Sequence, residues 1–331
     1  MGAEPAVIAL QPGRLARDSV PNGRLAAPER RREVSEFWQD VWDPETGIRD
    51  FEVDPIELAV AESARIRAEW ALDQEMLAGS EALQTFGEQL AREWAIETGI
   101  IENLYYIERG VTMTLIEQGF QAAHLVHGST DRDPAYVLAL LEDQKSALEG
   151  LFAFVKQDRD LSVSYIKELH AAMTRSQPTT EAFSPSGDRL EVPLLRGEWK
   201  QLPNYPQRDG VQYRYCPPEQ TASEMDRLIE IHAEHRAKGI APEVQAAWLH
   251  HRFTQIHPFQ DGNGRVARAL ASLVLIRGGM FPMVVPRDEK PVYLKALELA
   301  DRGDLAPLVL LISRRQEVAY QWSQRVGNPR S

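Results

Sequence analysis

One stretch constrains this 331-residue chain more than any other: Gln255-Ile256-His257-Pro258-Phe259-Gln260-Asp261-Gly262-Asn263-Gly264-Arg265-Val266-Ala267-Arg268. It sets an imidazole, a carboxylate, an amide, two glycines and two guanidinium groups in a loop that runs straight into an apolar, helix-like segment over 266–276. Gly262 and Gly264 allow backbone angles closed to other residues, so successive N–H groups can turn inward and cradle an anion. The helix that follows adds its uncapped N–H groups and the positive end of its dipole. Arg265 and Arg268 are three apart, close enough on a helix surface for both to offer planar forks to phosphate oxygens. Asp261 alone cannot build a metal cage, but Mg²⁺ is commonly held by one or two carboxylates plus substrate phosphates. His257 is the side chain whose ordinary pKa best suits taking a proton near neutrality. The stretch reads as a phosphate-handling loop.

Two other readings are weaker. Gly262-Asn263-Gly264-Arg265-Val266-Ala267 fits a Gly-x-Gly-x-x-Ala dinucleotide fingerprint, but that fingerprint needs a preceding apolar strand, and 246–253 has the look of a helix. A plain interhelical turn with solvated charges seldom combines His, Asp, Asn and two spaced arginines.

The pattern His257-x-Phe259-x-Asp261-Gly262-Asn263-Gly264-Arg265-x-x-Arg268 resembles the signature motif of the Fic (Fido) family at every specified position. The resemblance implies a mostly α fold, the Fic helical fold with a small β-hairpin flap near the active site, and transfer of AMP from ATP to a hydroxyl side chain of a target protein. By position, His257 would be the general base and Asp261 the Mg²⁺ ligand. Gly262 would belong to the nucleotide-phosphate site, in which Asn263, Gly264 and Arg265 would hold the α- and β-phosphates and Arg268 the γ-phosphate. ATP and Mg²⁺ are the cofactors implied.

A second resemblance lies upstream. Leu83, Phe86, Leu90 and Trp94 recur at helical spacing and lead into Thr98-Gly99-Ile100-Ile101-Glu102-Asn103. Read locally, Gly99 ends that helix and a short new one begins at Ile100. Thr98-x-x-x-Glu102-Asn103 is also similar to the (Ser/Thr)-x-x-x-Glu-(Gly/Asn) inhibitory motif of some Fic proteins. There the glutamate pairs with the second motif arginine, here Arg268, and keeps a γ-phosphate from its productive place.

The rest of the chain frames these segments. Residues 1–35 mix Pro, Gly, Ala and Arg without period and read as a poorly ordered arm. Trp38, Trp42 and Phe51 read as aromatic anchors against a following helix. Asp54-Pro55-Ile56-Glu57 is a good helix start, with a long helix expected after it. Further helices are expected over 112–118, 134–154, 162–175, 219–237, from Ala241-Pro242-Glu243 to His257, and over 293–300 and 305–322. His170 reads as a core histidine. The pairs His124/His127, His232/His235 and His250/His251 read as structural or exposed, because no Asp or Cys stands at ligand spacing. Residues 177–218 are rich in Pro and Gly. Their clearest β signal is the alternation Val211, Tyr213, Tyr215 after Asp209-Gly210. Arg196-Gly197-Glu198-Trp199-Lys200 stands where the family has a Gly-x-aromatic-Arg run, and Pro203 and Pro206 interrupt any strand they join.

A net charge of −12 with no long basic run argues against a nucleic-acid binder. The single cysteine, Cys216, reads as a bystander thiol and fits a reducing compartment. No apolar run reaches membrane-spanning length, and no signal-peptide layout opens the chain, so cytoplasmic residence is expected. The expected division is an arm at 1–35, an N-terminal helical region with the inhibitory motif at 36–130, a Fic core at 131–322 and a tail at 323–331. The function expected is an AMP transferase acting on a protein Tyr, Ser or Thr hydroxyl, inhibited through Glu102 and Arg268. Self-modification and a homodimer stay open, with no nucleic-acid or membrane partner. Rival readings are AMP removal, another nucleotide or phosphate donor, and a non-enzymatic nucleotide-binding module.

Overall fold

The computed structural model describes residues 37–125, 128–183, 188–208 and 211–327. The arm expected at 1–35, His127, the Asp209-Gly210 turn and the tail residues 328–331 lie outside that range.

The described chain opens on strand β1 (Phe37–Asp40). Asp54 caps helix α1 (Pro55–Leu58) by accepting from the Ile56 N–H at 2.9 Å. The expected start is therefore present, but the helix lasts one turn. Ala59 turns extended, and the chain restarts as α2 (Ala61–Met76). Ser80 caps α3 (Glu81–Ile101), whose stripe of Phe86, Leu90 and Trp94 is buried.

The helix does not break at Gly99, contrary to the local reading. A Cβ there would overlap the hydroxyl of Tyr105, which reaches the Ala95 and Ile96 carbonyls at 3.3 Å each. Gly99 thus makes room for a neighbour. The helix stops at Glu102 and Asn103 instead. Asn103 is left-handed at φ 56°, and the Leu104 and Asn103 N–H groups donate back to the Gly99 and Ile100 carbonyls. This is a Schellman end, in which Asn is the usual substitute for glycine.

Next come α4 (Arg109–Gln118), α5 (Pro134–Lys156) and α6 (Val163–Met173). Asp133 and Ser162 cap the last two. Strands β2 (Thr179–Phe183) and β3 (Arg189–Pro193) form an antiparallel hairpin. Strands β4 (Gln207–Arg208) and β5 (Val211–Arg214) pair antiparallel, and β1 joins β5 in parallel, giving the order β1-β5-β4. Trp38 therefore sits on a strand and meets Tyr205 edge-on, while Trp42 does anchor a helix, donating to Gln220 at 2.9 Å. That helix is α7 (Pro218–Ala237).

Two helices then form the centre of the molecule, α8 (Pro242–Ile256) and α9 (Asn263–Arg277). Both are buried on nearly every face, as a helix at the middle of a helical fold must be. They pack on each other; α7 and α11 (Ala306–Gly327) flank α8, and α3, α5 and α6 flank α9. Gly278 and left-handed Gly279 stop α9, and α10 (Lys290–Ala300) precedes α11. The polar side chains that α8 buries have partners: His250 meets the Tyr293 hydroxyl at 2.7 Å and His251 meets Asp301 at 2.9 Å. His235 on α7 meets Asp50 at 2.6 Å, and His124 the Gly119 carbonyl at 3.1 Å. No described helix is long and apolar enough to cross a membrane. The connection between α8 and α9 is the motif loop.

Candidate active site

His257 is the residue on which α8 ends, and it is left-handed at φ 50° and ψ 57°. A left-handed histidine is uncommon, and such backbone states persist only where the surroundings impose them. Its Nδ1 lies 3.3 Å from the Thr254 carbonyl, which can only accept, so Nδ1 carries the proton and Nε2 keeps its lone pair. The ring stacks on Tyr215 with centroids 4.2 Å apart. Burial first, and the nearby Lys200 ammonium second, push His257 down to about 3. It is neutral at pH 7, with Nε2 as the acceptor atom.

The loop beyond it is locked by backbone bonds to side chains. Asn263 accepts from the Phe259 N–H and donates to the Phe259 carbonyl, both at 2.8 Å. Its amide is thereby committed, so what Asn263 offers a phosphate is its backbone N–H. Gly262 is left-handed at φ 78° and brings no capping side chain to the start of α9. The His170 ring stacks on Phe259 at 3.8 Å. Its Nδ1 accepts from the Gly197 N–H at 2.8 Å, so Nε2 holds the proton and donates to the Asp261 carbonyl at 3.0 Å. His170 is a core histidine, as expected, and a support for the motif loop.

Asp261 accepts from Gln177 at 2.7 Å, Thr180 at 3.1 Å and the Gly262 N–H at 2.6 Å. Burial works against its charge, but Arg265 and these three donors outweigh it and hold the carboxyl below its ordinary range. An ionised, oriented carboxylate on a cleft fits a Mg²⁺ that takes its remaining ligands from nucleotide phosphates and water. Among the described residues no group of three or more His, Cys, Asp and Glu could hold a metal ion by itself.

The two motif arginines part company. Three residues along a helix is about 60° of rotation, enough to send them to different neighbours. Arg265 donates to Gln177 at 2.7 Å and to the Met173 carbonyl at 3.4 Å, with Asp261 3.8 Å away. Arg268 donates to the Thr98 carbonyl at 3.1 Å and pairs with Glu102 at 2.7 Å. Both are essentially fully buried, so neither guanidinium presents an open fork to the cleft. Burial disfavours the Arg268 charge, and Glu102 and Tyr293 more than restore it. The Glu102 carboxylate rests on Gly264, where any Cβ would overlap it. It therefore occupies ground beside the positive end of α9 as well as the arginine. Thr98 enters through its carbonyl and Asn103 through its left-handed turn.

These groups share a cleft of about 380 Å³. His257, Asp261, Gly262, Asn263, Gly264, Glu102 and Asn103 line it, together with Tyr136, Thr179, Thr180 and Glu191. The β2–β3 hairpin thus stands at its wall, in the place expected of the flap, and Tyr213 and Tyr215 bring the other sheet to its edge. Sequence reasoning missed Gln177, Thr180, Tyr215 and the Lys200–Asn204 segment as parts of the site. Tyr215 had a local signal, the alternation that begins in β5, and Lys200 ends the Arg196–Lys200 run; Gln177 and Thr180 had none.

Residues 160–275 match the model of the Fic/DOC family. The chain is 31% identical to the protein adenylyltransferase fic-1 of Caenorhabditis briggsae over 212 residues, which is 64% of this chain and 37% of that protein. It is 37% identical to the protein adenylyltransferase Fic of Drosophila melanogaster over 96 residues, 28% of this chain and 19% of that protein. The chain thus spans well under two thirds of the length of these curated relatives. Among solved structures, a Fic domain containing signaling protein from Bacteroides thetaiotaomicron matches with a TM-score of 0.64 at 23% identity, over 82% of this chain and 98% of that one. Fic-1 from Caenorhabditis elegans matches at 0.61 and 21% identity, over 80% of this chain and 70% of that one. The fold is theirs. The motif, the helices that carry it and these matches agree, and the chain carries a Fic/DOC family domain over residues 160–275.

Proposed function

We propose that this chain transfers AMP from ATP to a hydroxyl side chain of a target protein, and that Glu102 holds the activity off. The observation that carries the reading is the shared cleft: a neutral histidine with a free Nε2, an ionised aspartate and an uncapped helix N-terminus all face it. His257 Nε2 takes the proton of the target hydroxyl as its oxygen attacks the α-phosphorus. The bond from the α-phosphorus to the bridging oxygen breaks, and pyrophosphate leaves. The N–H groups at the start of α9 and the Gly262–Gly264 backbone stabilise the charge that builds on the phosphates. Mg²⁺, held by Asp261 and the nucleotide, supplies further neutralisation of that charge when bound.

Glu102 opposes this in two ways. It takes the Arg268 donors that a γ-phosphate would use, and it puts a carboxylate beside Gly264 where phosphate oxygens would sit. Hydrogen bonds to charged groups contribute about 1.5–3 kcal/mol, so the pair is a substantial block that a competing contact can still displace.

One rival keeps an observation of its own. The Glu102 side chain lines the cleft and is about one-quarter exposed at 26%, so it could orient a water for removing AMP from a modified protein. Incubation of Glu102→Gly with Mg²⁺ and ATP labelled at the α- or the γ-phosphate separates the readings. Transfer of α-label but not γ-label to protein, with release of pyrophosphate and loss of both on adding His257→Ala, is the expected result. Protein without α-label in any variant, together with wild-type release of AMP from a modified substrate, would establish AMP removal instead.

A further inference from the structure

Lys200 is a buried amino group that the chemistry above does not use. It is 4% exposed, and no carboxylate pairs with it among the described residues. Its ammonium donates to the Ile256 carbonyl at 3.1 Å and to the Asn204 side-chain oxygen at 3.2 Å. Asn204 passes the hold on, donating to the Phe259 carbonyl at 3.0 Å. The Lys200 backbone N–H donates to the Pro258 carbonyl at 2.8 Å. The carbonyls on either side of His257, and the next one along, are therefore all tied to one short segment. Trp199 adds a packing contact, its ring 5.0 Å from that of Phe259.

A buried lysine is expensive, and burial brings Lys200 down to about 7. An apolar side chain would fill the same space at lower cost, because replacing buried charge with packed hydrophobe is often neutral or stabilising. What an apolar side chain could not do is bind the Ile256 carbonyl at the end of α8 and the Asn204 side-chain oxygen. Those bonds close the left-handed turn in which His257 sits between Thr254, Tyr215 and Asp261, the other groups that face it.

We propose that Lys200 is a positioning residue: its ammonium, with Asn204, fixes the α8 end and aims the His257 imidazole into the cleft. This rests on the reading of His257 as the base. Misplacement of a reacting group by about 1 Å can cost on the order of 100-fold in rate.

The test compares Lys200→Met and Lys200→Arg, each in the Glu102→Gly protein, by kcat, KM for ATP and thermal midpoint. Lys200→Met is expected to lower kcat by about 10- to 100-fold, leave KM within about twofold and leave the midpoint equal or higher. Lys200→Arg, which keeps charge and donors, is expected to recover most of the rate. An unchanged kcat in Lys200→Met would overturn the proposal, and so would a parallel fall in kcat, ATP affinity and midpoint, the pattern of lost packing. Should Lys200→Met not fold, Asn204→Ala cuts the tie to Phe259 and one acceptor of the Lys200 ammonium, leaves the Lys200–Ile256 bond, and its unchanged kcat would overturn the proposal equally. If Glu102→Gly itself transfers no AMP, the fault lies with the proposed reaction. The His257 ring resonances then decide: they are expected to move in Lys200→Met, and identical spectra would overturn the positioning role.

Discussion

The motif loop and the end of α3 meet in one cleft, yet they are held very differently. Around the motif loop the Ile256, Phe259 and Asp261 carbonyls and the Phe259 N–H are bonded to side chains, those of Lys200, Asn204, His170 and Asn263. The α3 end depends on a Schellman turn, a Lys290 contact to Asn103 at 3.1 Å and the Glu102–Arg268 pair. Catalysis rewards a site that does not reorganise. Inhibition needs a contact that can be lost. On the proposed reading, rigidity lies where atoms would react and reversibility where Glu102 would have to leave.

The largest effect is expected at the rigid side. In the Glu102→Gly protein, His257→Ala should lower AMP transfer by about 10²- to 10⁴-fold while ATP affinity, measured by titration, changes little. Comparable losses in both would break the contrast, since the base would then also shape the nucleotide site.

A second effect comes from the histidine that supports the loop. Burial pushes His170 down to about 4, so between its ordinary pKa and about 4 the native state binds fewer protons than the unfolded chain. Its contribution is complete above about pH 6.5 and is lost as pH falls toward 4, amounting to about 3 kcal/mol. Denaturant unfolding across that window should show the decline, and His170→Gln should make it shallower, the rest coming from His232, His250, His251 and His257, which burial also lowers. A profile identical to wild type would mean that His170 is as well hydrated as a surface histidine.

Smaller effects are expected from the shell and from the α3 turn. Gln177→Leu removes a donor from Asp261 and an acceptor from Arg265, and should raise the Mg²⁺ concentration needed for half-maximal rate by about tenfold. Lys290→Ala loosens the Asn103 turn without touching the cleft chemistry, and should raise wild-type transfer by a few-fold, in line with one exposed hydrogen bond of about 1 kcal/mol. The same substitution in Glu102→Gly should do nothing. Additivity there would show that Lys290 acts through something other than the latch.

Much of the site is legible in the amino-acid sequence, and the reason is local. His257, Asp261 and the two glycines lie within eight residues, and Asp54-Pro55 and Ala241-Pro242 mark the starts of their helices. What the sequence hides depends on distant partners. Gly99 reads as a breaker because nothing nearby reveals the Tyr105 hydroxyl that needs its missing side chain. β1 reads as an anchor because its pairing partner, β5, is more than 170 residues away in sequence. Arg265 and Arg268 read as two forks on one face, and the helices beside α9 draw them apart. Gln177 carries no pattern at all until the loop it holds is folded against it, and the Arg196–Lys200 run gives no sign of the bond from Lys200 to the Ile256 carbonyl.

Glu102 as a latch on an assembled site is tested most directly by single-turnover transfer of α-label from ATP, by wild type and by Glu102→Gly at saturating Mg²⁺. A rate at least about tenfold higher in Glu102→Gly, with the thermal midpoint changed only modestly, is the predicted result. Equal rates in the two proteins would contradict it, because the carboxylate on Arg268 and Gly264 would then have nothing to block.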